Sequence, residues 1–125
     1  MNLKDPLIFG PGLWFSIHIL AMNSNTYESK VLFWKILNIY IENMKCLNCY
    51  SHAKKYISSN KFDISEKKIM NGKDISAFYY TWKFHNDVNR RLGKVTLSFK
   101  NAYNIYLNNK PCINCGNEIK YNHLL

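Results

Sequence analysis

The chain has 125 residues, 47% of them apolar, and 17 Lys and Arg against 8 Asp and Glu, a formal net charge of +9. That apolar fraction is normal for a globular domain, and the length gives one domain able to bury a modest core without disulfides to hold it. The charge fits a solvated lysine-rich surface or an anionic ligand, while lysines spread along the whole chain argue against nucleic acid as the partner.

From Leu7 to Tyr27 no residue carries a fixed charge. Gly10, Pro11 and Gly12 interrupt this stretch, and Ser16, His18, Asn23, Ser24, Asn25 and Thr26 load it with polar groups, so no membrane span is expected. There is no basic segment followed by an unbroken apolar run, and so no signal peptide is read. The expectation is a soluble intracellular protein. In that setting cysteine pairs are more often redox-active or metal-binding than structural.

Helical periodicity dominates. Gly10-Pro11-Gly12 reads as a turn, followed by a helix with Leu13, Trp14, Ile17, His18, Leu20 and Ala21 on its apolar stripe. The polar run Asn23 to Thr26 ends it. A second helix is expected from Tyr27 to Asn43, with Val31, Trp34, Ile36, Leu37, Tyr40 and Ile41 giving it so wide an apolar arc that it should lie deep in a bundle. Cys46-Leu47-Asn48-Cys49 opens a third helix that reaches Ser58. Residues 58–73, with Ser, Asn, Lys and Gly72, read as a loop with one turn in it, and no hairpin pattern stands out. Asp74 is the expected cap of a fourth helix over residues 75–92, with Gly93 as its stop. Ser98 caps a short fifth helix to Leu107. The fold class is all-α, a four-helix bundle with a short fifth helix over residues 1–107 and a C-terminal tail over 108–125.

Three groups of residues carry chemistry. A cysteine at a helix N-terminus meets the positive end of the helix dipole and free N–H groups, which favour a reactive thiolate. Cys46 and Cys49 therefore suit a redox dithiol, with a zinc half-site or plain buried thiols as the rival readings. His85, Val88 and Asn89, at i, i+3 and i+4, share one helical face, which on periodicity alone is a polar stripe at the edge of the core. Arg90, Arg91 and Lys94 close that helix, where they suit its dipole or an anionic phosphate. Trp14 and His18 are again i and i+4, an aromatic anchor beside a histidine.

Together these motifs resemble the Erv/ALR family of FAD-dependent sulfhydryl oxidases. Gly10, Trp14 and His18 come first, then Cys46-x-x-Cys49 with His52, then His85-Asn86-x-Val88-Asn89 with Lys94, in that family's order and spacing over residues 10 to about 106. The short chain is most similar to the minimal versions carried by large DNA viruses. The resemblance implies a homodimeric bundle with FAD bound beside the cysteine pair. Cys49 would face the flavin, forming a thiolate–flavin charge-transfer complex, and Cys46 would exchange with substrate. Gly10, Trp14, His18, His52, His85, Asn86, Val88, Asn89 and Lys94 would be cofactor positions, with Tyr103 and Tyr106 at the adenosine end. No metal is implied.

The implied activity makes disulfides in a reduced protein thiol, a thioredoxin-like or viral redox protein among them. Electrons would pass to O2 as acceptor, giving H2O2, in the cytoplasm of an infected host cell or in a virion. Two departures from the family pattern stand out. A structural disulfide common in the family falls here on Trp82 and Phe99, so an aromatic contact is expected in its place. An aromatic position after the first histidine is Asn23. Cys112 and Cys115, in the tail, match the second cysteine pair that such enzymes use as a shuttle. A local disulfide, or a zinc-binding interaction module using both pairs, are the alternatives.

Overall fold

A computed structural model describes residues 2–107 of the chain. It contains α1 (Pro6–Met22), α2 (Tyr27–Glu42), α3 (Leu47–Ser59), a two-stranded hairpin of β1 (Ile69–Met70) and β2 (Lys73–Asp74), α4 (Ser76–Arg91) and α5 (Phe99–Leu107). The class is all-α, as expected. The tail with Cys112 and Cys115 lies outside the described residues.

α1 starts earlier than the sequence suggests and runs straight through Gly10, Pro11 and Gly12. Pro6 sits at the first helical turn, where its missing N–H is not needed, and the Asp5 carboxylate accepts from the Leu7 N–H at 2.9 Å. Pro11 leaves the Leu7 carbonyl without its helical donor. Leu7 is 75% exposed, so water can take that place. The helix ends where expected, because the polar run supplies caps. Asn23 Nδ2 donates to the Ile19 carbonyl at 2.8 Å and Ser24 Oγ to that of Leu20 at 2.7 Å.

Thr26 and Ser29 form a reciprocal cap on α2. This helix buries Lys30, Phe33, Leu37 and Ile41, but Leu32, Ile39 and Tyr40 are exposed. The wide apolar arc is thus only partly covered within the described residues, and α2 lies less deep in the bundle than expected.

The stretch read as a loop with one turn holds the small hairpin, with Ile69 opposite Asp74 and Met70 opposite Lys73. Asn71 (φ 50°) and Gly72 (φ 77°) make its two-residue turn, for which Asn-Gly is the favoured pair. Strands of two residues are too short to show alternation, so the Asn-Gly pair was the sole local signal.

α4 begins at Ser76, and Ile75 rather than Asp74 is the residue at its N-cap. Asp74 still serves the helix start: its Oδ1 accepts from the Ser76 N–H at 3.0 Å. α4 packs most extensively against α1, and α5 lies against both. Trp82 and Phe99 do meet, edge to face with centroids 5.4 Å apart, and Trp82 Nε1 donates to the Leu97 carbonyl at 2.7 Å. Ile17, Phe33, Leu37, Phe78, Phe84 and their neighbours form one continuous core.

Candidate active site

Cys46 is the N-cap of α3, and Cys46 and Cys49 are joined as a disulfide with Cα atoms 5.2 Å apart. The Cys49 N–H donates to Cys46 Sγ at 3.2 Å. The sulfur thus occupies the place that a capping oxygen takes at other helix starts, among N–H groups and at the positive end of the dipole. Both cysteines are half-buried.

An apolar cavity of about 310 Å³ lies against the disulfide. Leu13 and Ile17 of α1, Leu37 of α2, and Phe84 of α4 contribute to its walls. A second cavity of about 360 Å³ sets the polar groups of His85, Asn89, Lys94 and Tyr106 among apolar side chains. Trp14, Val88 and Leu92 face both, so the two spaces share one wall.

Behind that wall is a chain of hydrogen bonds. His85 stacks on Trp14, with centroids 4.1 Å apart and planes 4° from parallel. His85 Nδ1 lies 2.9 Å from His18 Nε2, and His18 Nδ1 lies 2.9 Å from Thr81 Oγ1. His18 is 4% exposed. Burial, and then its neighbour His85, push its pKa down to about 3; burial and then the Lys94 ammonium push His85 down to about 4. Both rings are neutral at ordinary pH.

Lys94 reaches the second cavity because α4 ends in a tight reversal. Gly93 (φ 70°) donates its N–H to the Arg90 carbonyl at 3.2 Å, and the Lys94 N–H reaches back to that of Asn89 at 2.8 Å.

The sequence-predicted residues therefore divide. Trp14, His85, Val88, Asn89, Lys94 and Tyr106 meet at the second cavity, with His18 directly behind. Asn86 is buried with its amide committed to the backbone of Leu97, donating to the carbonyl at 2.7 Å and accepting from the N–H at 3.0 Å. It holds the segment that carries Lys94 and Val95 rather than lining a cavity. Tyr103 is buried in the core, its hydroxyl accepting from Asn71 Nδ2 at 3.0 Å. Gly10 lies inside α1 and His52 is exposed on α3; neither lines the two cavities. Asn23 is occupied in capping α1.

Sequence reading missed Thr81 and Phe84. Thr81 stands four residues before His85, the same spacing that singled out Trp14 and His18, so the signal was present. Among the described residues no three His, Cys, Asp or Glu side chains are grouped to hold a metal. Nor is any described helix long and apolar enough to cross a membrane.

Residues 11–112 match the Erv1/Alr family. The chain belongs to that family. It is 33% identical over 105 residues to an FAD-linked sulfhydryl oxidase of African swine fever virus, covering 80% of this chain and 81% of that protein. A second isolate's FAD-linked sulfhydryl oxidase is 33% identical over 108 residues, with the same shares covered. A protein of Invertebrate iridescent virus 3 is 27% identical over 108 residues, covering 82% of this chain and 68% of its own length.

The residues present fit FAD. The apolar slot with its aromatic wall suits a flat ring system beside the disulfide. The adjoining cavity offers a cation, an amide and polar rings to phosphates and an adenosine.

Proposed function

We propose that Cys46 and Cys49 are the redox-active pair of an FAD-dependent thiol oxidase that makes disulfides in protein substrates. The observation that carries this reading is the disulfide at a helix N-terminus, forming one wall of an apolar cavity that adjoins a second one holding His85, Asn89 and Lys94. A substrate thiolate attacks Cys46 Sγ and the Cys46–Cys49 bond breaks, leaving a mixed disulfide and a Cys49 thiolate. The second substrate thiolate resolves the mixed disulfide, which releases oxidised substrate and leaves the pair reduced. The positive end of α3 holds the departing thiolate, and the Cys49 N–H stays within reach of Cys46 Sγ. Bound FAD would supply the two-electron chemistry that links oxidation of the dithiol to reduction of O2, with two protons, to H2O2. Trp14, Val88, His85, Asn89, Lys94 and Tyr106 would hold it, with Lys94 set to offset phosphate charge.

The wider reading follows the viral relatives. Cys112 and Cys115 relay electrons from a bulky substrate to Cys46. The exposed Leu32, Ile39 and Tyr40 suit the interface of a homodimer, which light scattering at two concentrations would reveal. The site of action is the host cytoplasm or the virion.

The test is one preparation. Purified protein is expected to be yellow and to release flavin on denaturation. Cys46→Ser and Cys49→Ser should each abolish oxidation of a small dithiol. Only Cys46→Ser should gain a long-wavelength absorption band, from a Cys49 thiolate without its disulfide partner. The band in Cys49→Ser instead would reverse the two roles, and colourless folded protein that takes up no FAD would sink the proposal. In the same assays, replacing Cys112 and Cys115 with serine should spare the small dithiol and impair a reduced protein substrate.

A further inference from the structure

We propose that Thr81 is a positioning residue: through His18 it fixes the tautomer of His85, so that His85 offers a bare Nε2 to the second cavity and accepts a hydrogen bond from the cofactor there. This rests on the FAD reading above for the identity of the ligand, but not for the state of the rings.

The direction of each bond follows from what each atom can do. The Phe78 carbonyl only accepts, and Thr81 Oγ1 donates to it at 2.9 Å. That uses the hydroxyl's one hydrogen. Toward His18 Nδ1, at 2.9 Å, the same oxygen can then only accept, so His18 Nδ1 carries the N–H. A neutral imidazole has a single N–H, which leaves His18 Nε2 bare. The atom 2.9 Å from it, His85 Nδ1, must therefore donate. The N–H of His85 points inward, and its Nε2, on the other side of the ring, keeps a lone pair. That nitrogen has no hydrogen-bond partner among the described residues, and no buried side-chain polar atom there is left unsatisfied, so it is open rather than sealed in the core.

This sets what the ligand presents at that point. A bare nitrogen takes a donor, such as a sugar hydroxyl or the amino group of adenine, and repels a phosphate oxygen. Phosphate charge is left to Lys94, on the same cavity. Thr81 itself is fully buried and lines neither cavity; its effect passes through two rings.

Valine at position 81 has the same shape without the hydroxyl. His18 Nδ1 would then face no acceptor, and a buried N–H without a partner is rarer in proteins than a buried acceptor without one. The cheaper arrangement moves the hydrogen to His18 Nε2, which donates to His85 Nδ1. His85 must then carry its hydrogen on Nε2. The chain reverses, and His85 changes from acceptor to donor with no change of shape in the cavity.

Long-range 1H–15N spectra of the histidine rings in the full-length labelled protein report which nitrogen carries the hydrogen, and flavin fluorescence gives the FAD dissociation constant. Wild type is expected to show both buried rings protonated on Nδ1. Thr81→Val should show both on Nε2 and bind FAD about 10-fold more weakly, the scale of one lost hydrogen bond. Thr81→Ser, which restores the hydroxyl, should match wild type in both readouts. Wild-type rings protonated on Nε2 would overturn the inference, and this result is decisive even if the valine variant does not fold. Reversed tautomers with unchanged affinity would overturn the role assigned to His85 Nε2. If wild type binds no FAD, the cofactor half of the inference falls with the function it rests on, and the ring spectra still decide the relay.

Discussion

Lys30 and Asp74 meet at 2.7 Å with 2% and 7% of their surfaces exposed. A pair so placed survives only if its remaining bonding capacity is filled. Lys30 Nζ also donates to the Glu66 carbonyl at 2.9 Å, and Asp74 Oδ1 accepts from the Lys68 and Ser76 N–H groups at 3.1 and 3.0 Å. Burial alone would raise the Asp74 pKa. The Lys30 ammonium and those N–H groups outweigh it and hold the carboxyl at about 2. A carboxyl depressed in the fold adds stability that is present above its unfolded pKa of about 4 and is lost as pH falls through 2. Asp74→Ala should therefore unfold more easily by about 3–5 kcal/mol at pH 7, the usual loss on breaking a buried pair. The gap in urea midpoint between variant and wild type should narrow as pH drops from 4 to 2. A gap that stays constant would show that the charge is not what holds the loop. Nothing local in the sequence pairs these residues, which lie 44 positions apart. Lys30 reads as one more surface lysine until the fold places it, whereas His18 and His85 declared themselves through motif spacing.

At the scale of elements, the end of α4 was legible and the start of α1 was not. Gly93 needs positive φ, which glycine adopts at no steric cost, and its place after a basic helix end announces a stop. A Cβ built on Gly93 meets nothing within 4 Å, so Gly93→Ala should cost only the left-handed backbone penalty, about 1–2 kcal/mol. Gly93→Asn should cost less. Because the turn aims Lys94 back over His85 and Asn89, the alanine variant should also bind FAD more weakly, and the two effects can be read from a urea midpoint and a flavin titration. Unchanged FAD affinity alongside reduced stability would show that Lys94 does not depend on the turn. The Gly10-Pro11-Gly12 run misled because breaker residues are judged one by one. An Asp5–Pro6 start and the burial of Ile17, His18 and Ala21 against the bundle favour one continuous helix enough to tolerate them.

For the whole molecule, the informative feature is that the site belongs to no single element. The first cavity is walled by α1, α2, α3 and α4; the second by α1, α4, the 92–95 segment and α5. Sequence could name Trp14 and Val88, but that both face two cavities depends on how α1 lies on α4. Local pattern does not encode that packing. A ligand filling both spaces touches every helix of the described chain, and those surfaces are brought together only in the folded state. Binding to the folded state alone stabilises by mass action, about 2.7 kcal/mol at a free ligand concentration 100 times Kd. For a chain of this size that corresponds to a rise in Tm of about 10 °C. Protein stripped of flavin should therefore melt about that much lower, and recover on adding FAD in a concentration-dependent way. Riboflavin has the ring system without the phosphates or adenosine, and so should engage the apolar slot without Lys94 or Tyr106 and recover less of the shift. Equal recovery by both would mean that the second cavity contributes nothing to binding. No shift with either would mean that the two cavities are not the cofactor site, whatever the fate of the cysteine pair.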